Sequence, residues 1–200
     1  MKFSGRFNGP DFLLHLCCAP CSPHPIDVLK KDYKVTLYFY NPNIYPETEY
    51  ESRLDEVKKL AVIENLPLIT GDYYPDLWIK DKEKLRDEPE KGKRCELCIG
   101  DRMMQTARTA ARLDMENFGA VLSVSPHKDA LMINSLGRKA QKILNRDGTD
   151  IVFFEADWKK KEGFKISSRI SRNMGFVRQD YCGCVYSRGR MKRKLPGAFI

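Results

Sequence analysis

Residues 12–23 read FLLHLCCAPCSP and determine how the start of the chain folds. The apolar run from Phe12 to Cys17 is typical of a buried strand, because a strand covered on both faces is continuously hydrophobic. Ser22 followed by Pro23 is typical of a helix cap and a first helical turn. The junction between this strand and this helix contains three cysteines: Cys17, Cys18 and Cys21.

Strand-like and helix-like segments continue to alternate along the chain. We predict strands at residues 35–40, 67–70, 120–125 and 151–154, and helices from residue 46 and over residues 95–113, 130–144 and 163–174. This alternation is typical of an α/β fold, here a single Rossmann-like domain with a mostly parallel sheet of about five strands covered by helices. We assign residues 1–187 to this domain and residues 188–200 to a basic C-terminal tail. Segment 80–94 has seven basic and five acidic residues, which predicts a surface helix and loop.

The composition is that of one ordinary globular domain. The chain has 200 residues, 42% of them hydrophobic and 31% charged, which excludes disordered, collagen-like and coiled-coil proteins. The apolar run near residue 12 is interrupted by His15 and is far shorter than the ~20 residues that a membrane span needs. We therefore expect a cytoplasmic protein that has no membrane partner.

The formal net charge of +8 is concentrated at the end of the sequence. Residues 1–150 contain 23 basic and 23 acidic residues, whereas residues 151–200 contain 12 basic and 4 acidic residues. The densest basic run consists of Arg188, Arg190, Lys192, Arg193 and Lys194. Such a density suits phosphate contacts with a polyanion, so nucleic acid is the leading candidate partner. A solvated basic face that binds nothing is the alternative.

Seven cysteines in a chain expected to be cytoplasmic indicate chemistry rather than a disulfide framework. Cys95 and Cys98 are spaced so that two thiolates at the start of a helix can reach one metal centre. The loops that follow parallel strands meet at one edge of the sheet. We therefore expect the cysteines of residues 17–21, the loop 125–129 and residues 157–158 to share one site.

Thiolate ligands favour an iron-sulfur cluster or zinc over hard cations. A structural zinc site is the alternative to a cluster, because four thiolates can hold zinc without any redox chemistry. A domain of this length does not need a metal to fold, and the cysteines lie where catalytic loops are expected. We therefore favour a redox centre over structural zinc.

Cys182-Gly183-Cys184 is a third group of thiols. A single intervening glycine allows a small strained disulfide ring, and strained disulfides are oxidising and labile. The pair can store two electrons as a dithiol, or it can supply two more metal ligands. With the pair as redox thiols, four candidate ligands are Cys17, Cys18, Cys95 and Cys98. Cys21 is left over as a replacement ligand, a ligand to a second metal or a packed apolar residue.

Four motifs occur in a fixed order: LHLCCAPC at 14–21, YNPNIYP at 40–46, RCELC at 94–98 and YCGCVYS at 181–187. On these motifs the chain resembles the QueH family of epoxyqueuosine reductases. The resemblance implies a HUP-type Rossmann-like sheet and a tRNA-modifying oxidoreductase that needs no cobalamin. It implies reduction of epoxyqueuosine to queuosine at the anticodon wobble position, the last step of queuosine biosynthesis. It also implies a 4Fe-4S cluster held by Cys17, Cys18, Cys95 and Cys98, with Cys182 and Cys184 as the redox-active catalytic pair.

Removing an epoxide oxygen as water takes two electrons and two protons. We expect a cluster iron, or an additional adjacent iron, to bind the oxygen as a Lewis acid while the Cys182–Cys184 dithiol supplies the electrons. An unidentified electron donor then reduces the disulfide, and the substrate partner is tRNA carrying epoxyqueuosine. His127 is favoured as a surface residue over a proton donor, His15 as a core or supporting residue, and His24 as a first-turn helix residue.

Two rival functions stay open on the sequence. One is a zinc-bound, non-catalytic RNA-binding protein, and the other is a tRNA thiolase of related fold. A thiolase activates its base with ATP, and the glycine-rich phosphate loop expected after the first strand is replaced here by Cys17 and Cys18. The sequence therefore argues against nucleotide activation.

Overall fold

The computed structural model describes residues 9–187. Its strands are β1 (Asp11–His15), β2 (Lys34–Phe39), β3 (Leu68–Thr70), β4 (Asn117–Ala120) and β5 (Val152–Phe153). Its helices are α1 (Pro23–Leu29), α2 (Glu47–Glu64), α3 (Pro75–Lys82), α4 (Lys93–Arg112), α5 (Ala130–Arg146) and α6 (Gly163–Asn173). Short 3₁₀ turns include Ala19–Cys21 and Leu122–Val124. The basic C-terminal residues 188–200 lie outside the described residues.

The five strands form one sheet in the order β3-β2-β1-β4-β5, and every neighbouring pair is parallel. The chain moves outward from β1 to β3 and then returns to the other side of β1 for β4 and β5. The strand order therefore reverses between β1 and β4. In open α/β sheets, ligands bind at the carboxyl ends of the strands at this switch point. The prediction of a Rossmann-like, mostly parallel sheet is confirmed.

Alternate residues of β1 face the two helical layers. Phe12 and Leu14 are buried in one apolar cluster with residues of α1 and α2. Leu13 is buried in a second cluster with Met103 of α4 and Ile133 of α5. Both faces of the central strand are therefore covered, which explains why its sequence is continuously apolar.

The predicted strand at 120–125 is wrong in position, because β4 ends at Ala120 and a 3₁₀ turn follows. The strand has glycine at position 119 because a Cβ there would come within 2.9 Å of the Phe12 ring. The apolar residues after Ala120 are buried in the turn rather than in the sheet. There the carbonyl of Ala120 accepts a 2.9 Å hydrogen bond from the Trp158 indole N–H.

The prediction that segment 80–94 lies on the surface is wrong for two of its residues. Lys82, at the end of α3, is only 3% exposed and donates to a carboxylate of Asp101 at 2.8 Å. Arg94, at the start of α4, is only 1% exposed. Its Nη1 donates to the carbonyls of Leu85, Arg86 and Glu88 at 2.8–2.9 Å. Charge is therefore a poor guide to exposure here, because each cation has acceptors within the protein that replace water.

Within residues 9–187, no helix is both long enough and apolar enough to cross a bilayer.

Candidate metal and redox site

Cysteines from distant parts of the sequence meet beside the carboxyl ends of β1 and β4. One cleft is lined by the thiols of Cys95 and Cys98 from the start of α4, together with Cys182, Cys184 and the loop residue Lys128. Cys17 and Cys18 follow directly after β1. The fold brings Cys95, Cys98, Cys182 and Cys184 together with Lys128 of the loop 125–129, and Cys17 acts on Arg102 of the same cleft.

The loop after β1 is fixed by hydrogen bonds to its backbone. Ser22 Oγ donates to the carbonyl of Cys18 at 3.0 Å, and Asn41 Nδ2 donates to the carbonyl of Leu16 at 3.0 Å. The sulfurs of Cys17 and Cys18 are 3.9 Å apart. A hydrogen bond between these two thiols, followed by burial, raises the pKa of Cys17 above its ordinary value. The two neighbouring thiols therefore point toward each other rather than to opposite sides of the chain.

Cys95 and Cys98 lie one turn apart near the N-terminus of α4. Residues three apart on a helix share a face, so both thiols can serve one centre. Cys98 is buried, and burial raises the pKa of its thiol.

Hydrogen bonds to its backbone carbonyls hold the Cys182-Gly183-Cys184 segment in place. The N–H of Tyr45 donates to the carbonyl of Gly183 at 2.9 Å, and the buried guanidinium of Arg53 donates to the carbonyls of Tyr181 and Cys182 at 3.4 and 3.3 Å. Gly183 has a φ of +99°, and a Cβ there would come within 3.1 Å of Arg53 and of Ile44. Both the backbone conformation and the close approach of Arg53 therefore require glycine.

The two thiols of this segment differ in protonation. In this structure Cys182 and Cys184 are free thiols, which corresponds to the reduced form of the pair. Lys128 Nζ lies 2.9 Å from Cys182 Sγ. A hydrogen bond from Cys184, then the charges of Lys128 and Arg102, overcome burial and hold the pKa of Cys182 well below its ordinary value. The same hydrogen bond, followed by burial, raises the pKa of Cys184. Cys182 is therefore a thiolate and Cys184 a thiol.

Arg102 is a buried cation that lies close to both groups of candidate ligands, the cysteines after β1 and those at the start of α4. Burial disfavours its charge, but the sulfurs of Cys98, Cys182, Cys17 and Cys95 around it raise the pKa of the guanidinium above its ordinary value. Its Nε also donates to the carbonyl of Cys98 at 3.3 Å.

Among residues 9–187, no three histidine, cysteine, aspartate or glutamate side chains are arranged as a ready metal-binding group. The donor chemistry nevertheless fits an iron-sulfur cluster, because soft thiols surround a buried cation that can balance an anionic cluster.

Comparison with known proteins identifies the family. The family model for epoxyqueuosine reductase QueH matches residues 12–190. The chain belongs to this family. Among similar curated proteins, QueH of Streptococcus pyogenes is 33% identical over 184 residues, covering 89% of this chain and 70% of the relative. QueH of Thermotoga maritima is 34% identical over 181 residues, covering 88% of each chain. QueH of Haemophilus influenzae is 36% identical over 176 residues, covering 88% and 70%. The predictions of the QueH family and of an oxidoreductase are confirmed.

A solved structure shares the fold of this QueH chain. It is the U34-tRNA thiolase NcsA from Methanococcus maripaludis with its [4Fe-4S] cluster, with a TM-score of 0.52 and 11% sequence identity. The match covers 95% of this chain and 66% of the thiolase chain, so the QueH chain spans slightly less than two thirds of the thiolase's length. At this identity the likeness shows the Rossmann-like fold alone.

The other residues that the sequence predicted occupy varied places in the QueH fold. His127 is exposed at the edge of the cleft, and His15 is buried with its Nε2 2.9 Å from the carbonyl oxygen of Tyr40. His24 is in the first turn of α1, as predicted. Trp158 is buried and stacks on Phe154, and it is not among the residues that line the cleft. Cys21 is buried in the apolar cluster that also contains Cys18.

Four cations organise the site without a role predicted for them from the sequence: Arg53, Arg94, Arg102 and Lys128. Spacing along the helices could have revealed two of them. Arg53 lies on the apolar stripe of α2, three residues after Tyr50 and four before Val57, both of which are buried. Arg102 lies four residues after Cys98, on the helix face that carries the thiols. A cation on a buried stripe indicates a buried acceptor or anion.

Proposed function

We propose that this protein reduces epoxyqueuosine in tRNA to queuosine, using an iron-sulfur cluster and the Cys182–Cys184 dithiol. The observation that carries this proposal is the position of a thiolate-thiol pair in the same cleft as Cys95 and Cys98. Membership of the QueH family supplies the reaction and the substrate.

The residues that fit the cluster are Cys17, Cys18, Cys95 and Cys98, as ligands of a 4Fe-4S cluster. When bound, the cluster supplies electron transfer, and an additional adjacent iron would supply a Lewis acid for the epoxide oxygen. Arg102 faces the same group of sulfurs, and its positive charge would balance part of the negative charge of a bound cluster. Cys21 is proposed as a packing residue, because it is buried in the apolar core.

The dithiol supplies the two electrons of the reaction. Both carbon-oxygen bonds of the epoxide break, a carbon-carbon double bond forms, and the oxygen leaves as water. Cys182 and Cys184 lose two electrons as their sulfurs join in a disulfide. An external electron donor, which we leave unassigned, then reduces the disulfide for the next turnover.

The tRNA would approach the cleft from the side where the chain continues into its basic end. Ser187 lines the cleft, and Arg188 and Arg190 follow it directly in the sequence. We propose that these and the following basic residues contact phosphates of the anticodon arm. Since tRNA modification of this kind acts on cytoplasmic tRNA, we expect the enzyme to work in the cytoplasm.

The test is conversion of the modified base by the anaerobically reconstituted protein. tRNA carrying epoxyqueuosine is incubated with the protein and a reductant, and its nucleosides are analysed by mass spectrometry. We expect the modified nucleoside to lose one oxygen atom, with iron and acid-labile sulfide present in the protein. A protein that binds zinc and tRNA without changing the nucleoside would support the RNA-binding alternative. Incorporation of sulfur with consumption of ATP would support a thiolase.

A further inference from the structure

The backbone of Lys128 is fixed by contacts that do not involve the dithiol, and the side chain places its amine beside the dithiol. Its backbone N–H donates to the carbonyl of Ser125 at 3.1 Å. Its own carbonyl accepts a 3.1 Å hydrogen bond from Lys159 Nζ, which also donates to the carbonyl of Ser123 at 3.3 Å. The loop after β4 is thus tied to the segment after β5. The 2.9 Å contact between Lys128 Nζ and Cys182 Sγ is made from a fixed position.

The charges around the amine come from three parts of the chain. The titratable and charged groups that share the cleft with it belong to residues 90–102, to the C-terminal segment and to its own loop. They are Glu90, Lys91, Arg94, Cys95, Cys98, Arg102, Cys182, Cys184, His127 and Asp129. Arg102 repels the amine, whereas the Cys182 thiolate attracts it. Burial disfavours the charge of Lys128, but the Cys182 thiolate outweighs burial and raises the pKa of the amine. Loss of that thiolate would leave two cations close together in a buried cleft.

The proton balance of the reaction needs a second donor beside the dithiol. Removal of the epoxide oxygen as water consumes two protons and two electrons. Oxidation of the pair to a disulfide supplies both electrons. Cys182 is paired at 2.9 Å with the amine of Lys128, so of the two sulfurs only that of Cys184 carries a proton in this arrangement. The second proton must come from another group, and the amine of Lys128 is in contact with the sulfur that loses its charge.

We propose that Lys128 is the second proton donor: it pairs with the Cys182 thiolate in the reduced enzyme and releases its proton toward the epoxide oxygen when the disulfide forms. The other proton comes from the Cys184 thiol, so that the oxygen leaves as water. Reduction of the disulfide, with uptake of two protons, restores the thiol, the thiolate and the ammonium. This inference rests on the proposed function, since it assigns a role to Lys128 in that reaction.

Two measurements on the cluster-loaded protein under anaerobic conditions test the proposal together. The first is the rate at which iodoacetamide alkylates Cys182, followed by peptide mass spectrometry at about pH 6.5, 7 and 7.5. A thiolate reacts at a rate that does not change over this range, whereas an ordinary thiol reacts about tenfold faster for each pH unit. We expect a rate that is independent of pH.

The second measurement is the exchange equilibrium of the pair with reduced and oxidised glutathione over the same pH range. Glutathione releases two protons per disulfide formed, because its thiol is protonated below about pH 8. If the protein also releases two protons, the exchange constant is independent of pH. If the protein releases one, the constant changes about tenfold per pH unit. We expect no pH dependence, although Cys182 itself carries no proton.

The matched variant is Lys128→Arg, which keeps the positive charge but does not give up its proton. We expect it to retain iron and a pH-independent alkylation rate, to show an exchange constant that changes about tenfold per pH unit, and to form queuosine in a single turnover about 100-fold more slowly. Lys139→Arg, an exposed change on α5, should behave as the wild type in all three measurements.

The proposal is overturned if the wild-type exchange constant changes tenfold per pH unit, as expected for Lys128→Arg, since Lys128 then keeps its proton. It is also overturned if wild-type alkylation of Cys182 accelerates tenfold per pH unit, since Cys182 then carries the second proton. Failure of the proposed function looks different, because the wild-type protein would then form no queuosine, whatever the exchange data show.

Discussion

The guanidinium of Arg53 lies 3.3 Å from the carbonyl oxygen of Cys182, although the two residues are 129 positions apart in the sequence. Arg53 belongs to α2, whereas Lys128, which contacts the sulfur of Cys182, belongs to the loop after β4. One cation therefore holds the backbone of Cys182 and another holds its side chain. The position of the dithiol depends on both halves of the sheet.

Replacement of Arg53 should weaken this anchor. Arg53→Met removes the donors to the carbonyls of Tyr181 and Cys182 and leaves Glu49 without its 2.7 Å ion-pair partner. We expect a loss of about 2–4 kcal/mol in the free energy of unfolding, because buried polar partners are left unpaired. Chemical denaturation measures this loss. We also expect slower disulfide formation between Cys182 and Cys184.

The control is Lys58→Met on the same helix, where an exposed lysine pairs with Asp55. Exposed pairs of this kind contribute little, so the change should stay within about 0.5 kcal/mol. Equal stabilities of Arg53→Met and Lys58→Met would show that Arg53 does not anchor the segment.

The division of the cysteines into cluster ligands and redox thiols predicts two different phenotypes. Cys182→Ser should keep iron and acid-labile sulfide, because the ligands are intact, but should form no queuosine in single or multiple turnover, because the disulfide cannot form. Cys95→Ser should lose the cluster. Iron and sulfide analysis of anaerobically purified protein measures both, and equal loss of iron in the two variants would refute the division.

Two glycines in helix interiors should respond oppositely to alanine. At Gly137 in α5, a Cβ would overlap the buried ring of Phe153, so Gly137→Ala should destabilise the protein by about 1–3 kcal/mol through overpacking. At Gly100 in α4, the nearest atom to a new Cβ is a methyl of Leu136 at 3.5 Å. Gly100→Ala should therefore stabilise the protein by about 0.5–1 kcal/mol. Thermal denaturation compares the two, and stabilisation by Gly137→Ala would contradict the packing of α5 on β5.

Neutralising the basic end of the chain should weaken tRNA binding and its dependence on salt. Changing Arg190, Lys192 and Arg193 to glutamine should reduce the slope of log affinity against log salt by roughly 2–3 if each contacts a phosphate. Filter binding at several salt concentrations measures the slope. Lys31→Gln with Lys34→Gln is the control, because Lys34 begins β2 at the edge of the sheet opposite the cysteines. An unchanged slope in the triple variant would return residues 188–200 to the interpretation of a solvated tail.

The order of the elements could be predicted from sequence because each strand is apolar and each helix is amphipathic. The position of β4 could not, since Gly119 interrupts the apolar pattern inside the strand and the residues after Ala120 are apolar for a different reason. They fill a buried turn beneath Trp158. Local patterns record burial, but they do not record whether a strand or a turn is buried.

The cysteines of the site could also be found from spacing, as could Arg53 and Arg102 on buried helix faces, whereas Lys128 and Arg94 could not. Arg94 is buried and Lys128 is half-buried. Their partners are backbone carbonyls or a residue distant in sequence, and neither kind of partner leaves a mark in composition. A pattern-based prediction places charged residues in solvent unless it knows these partners. The many charges of segment 80–94 predict exposure for this reason, although Lys82 and Arg94 are buried.

The most direct test of the dithiol mechanism is a single turnover without external reductant. Reduced, cluster-loaded protein is mixed in excess with tRNA carrying epoxyqueuosine, quenched in acid and analysed for both queuosine and the Cys182–Cys184 disulfide. One disulfide should form for each queuosine, and Cys184→Ser should form neither. Formation of queuosine while Cys182 and Cys184 stay reduced would contradict the assignment of this pair as the electron source.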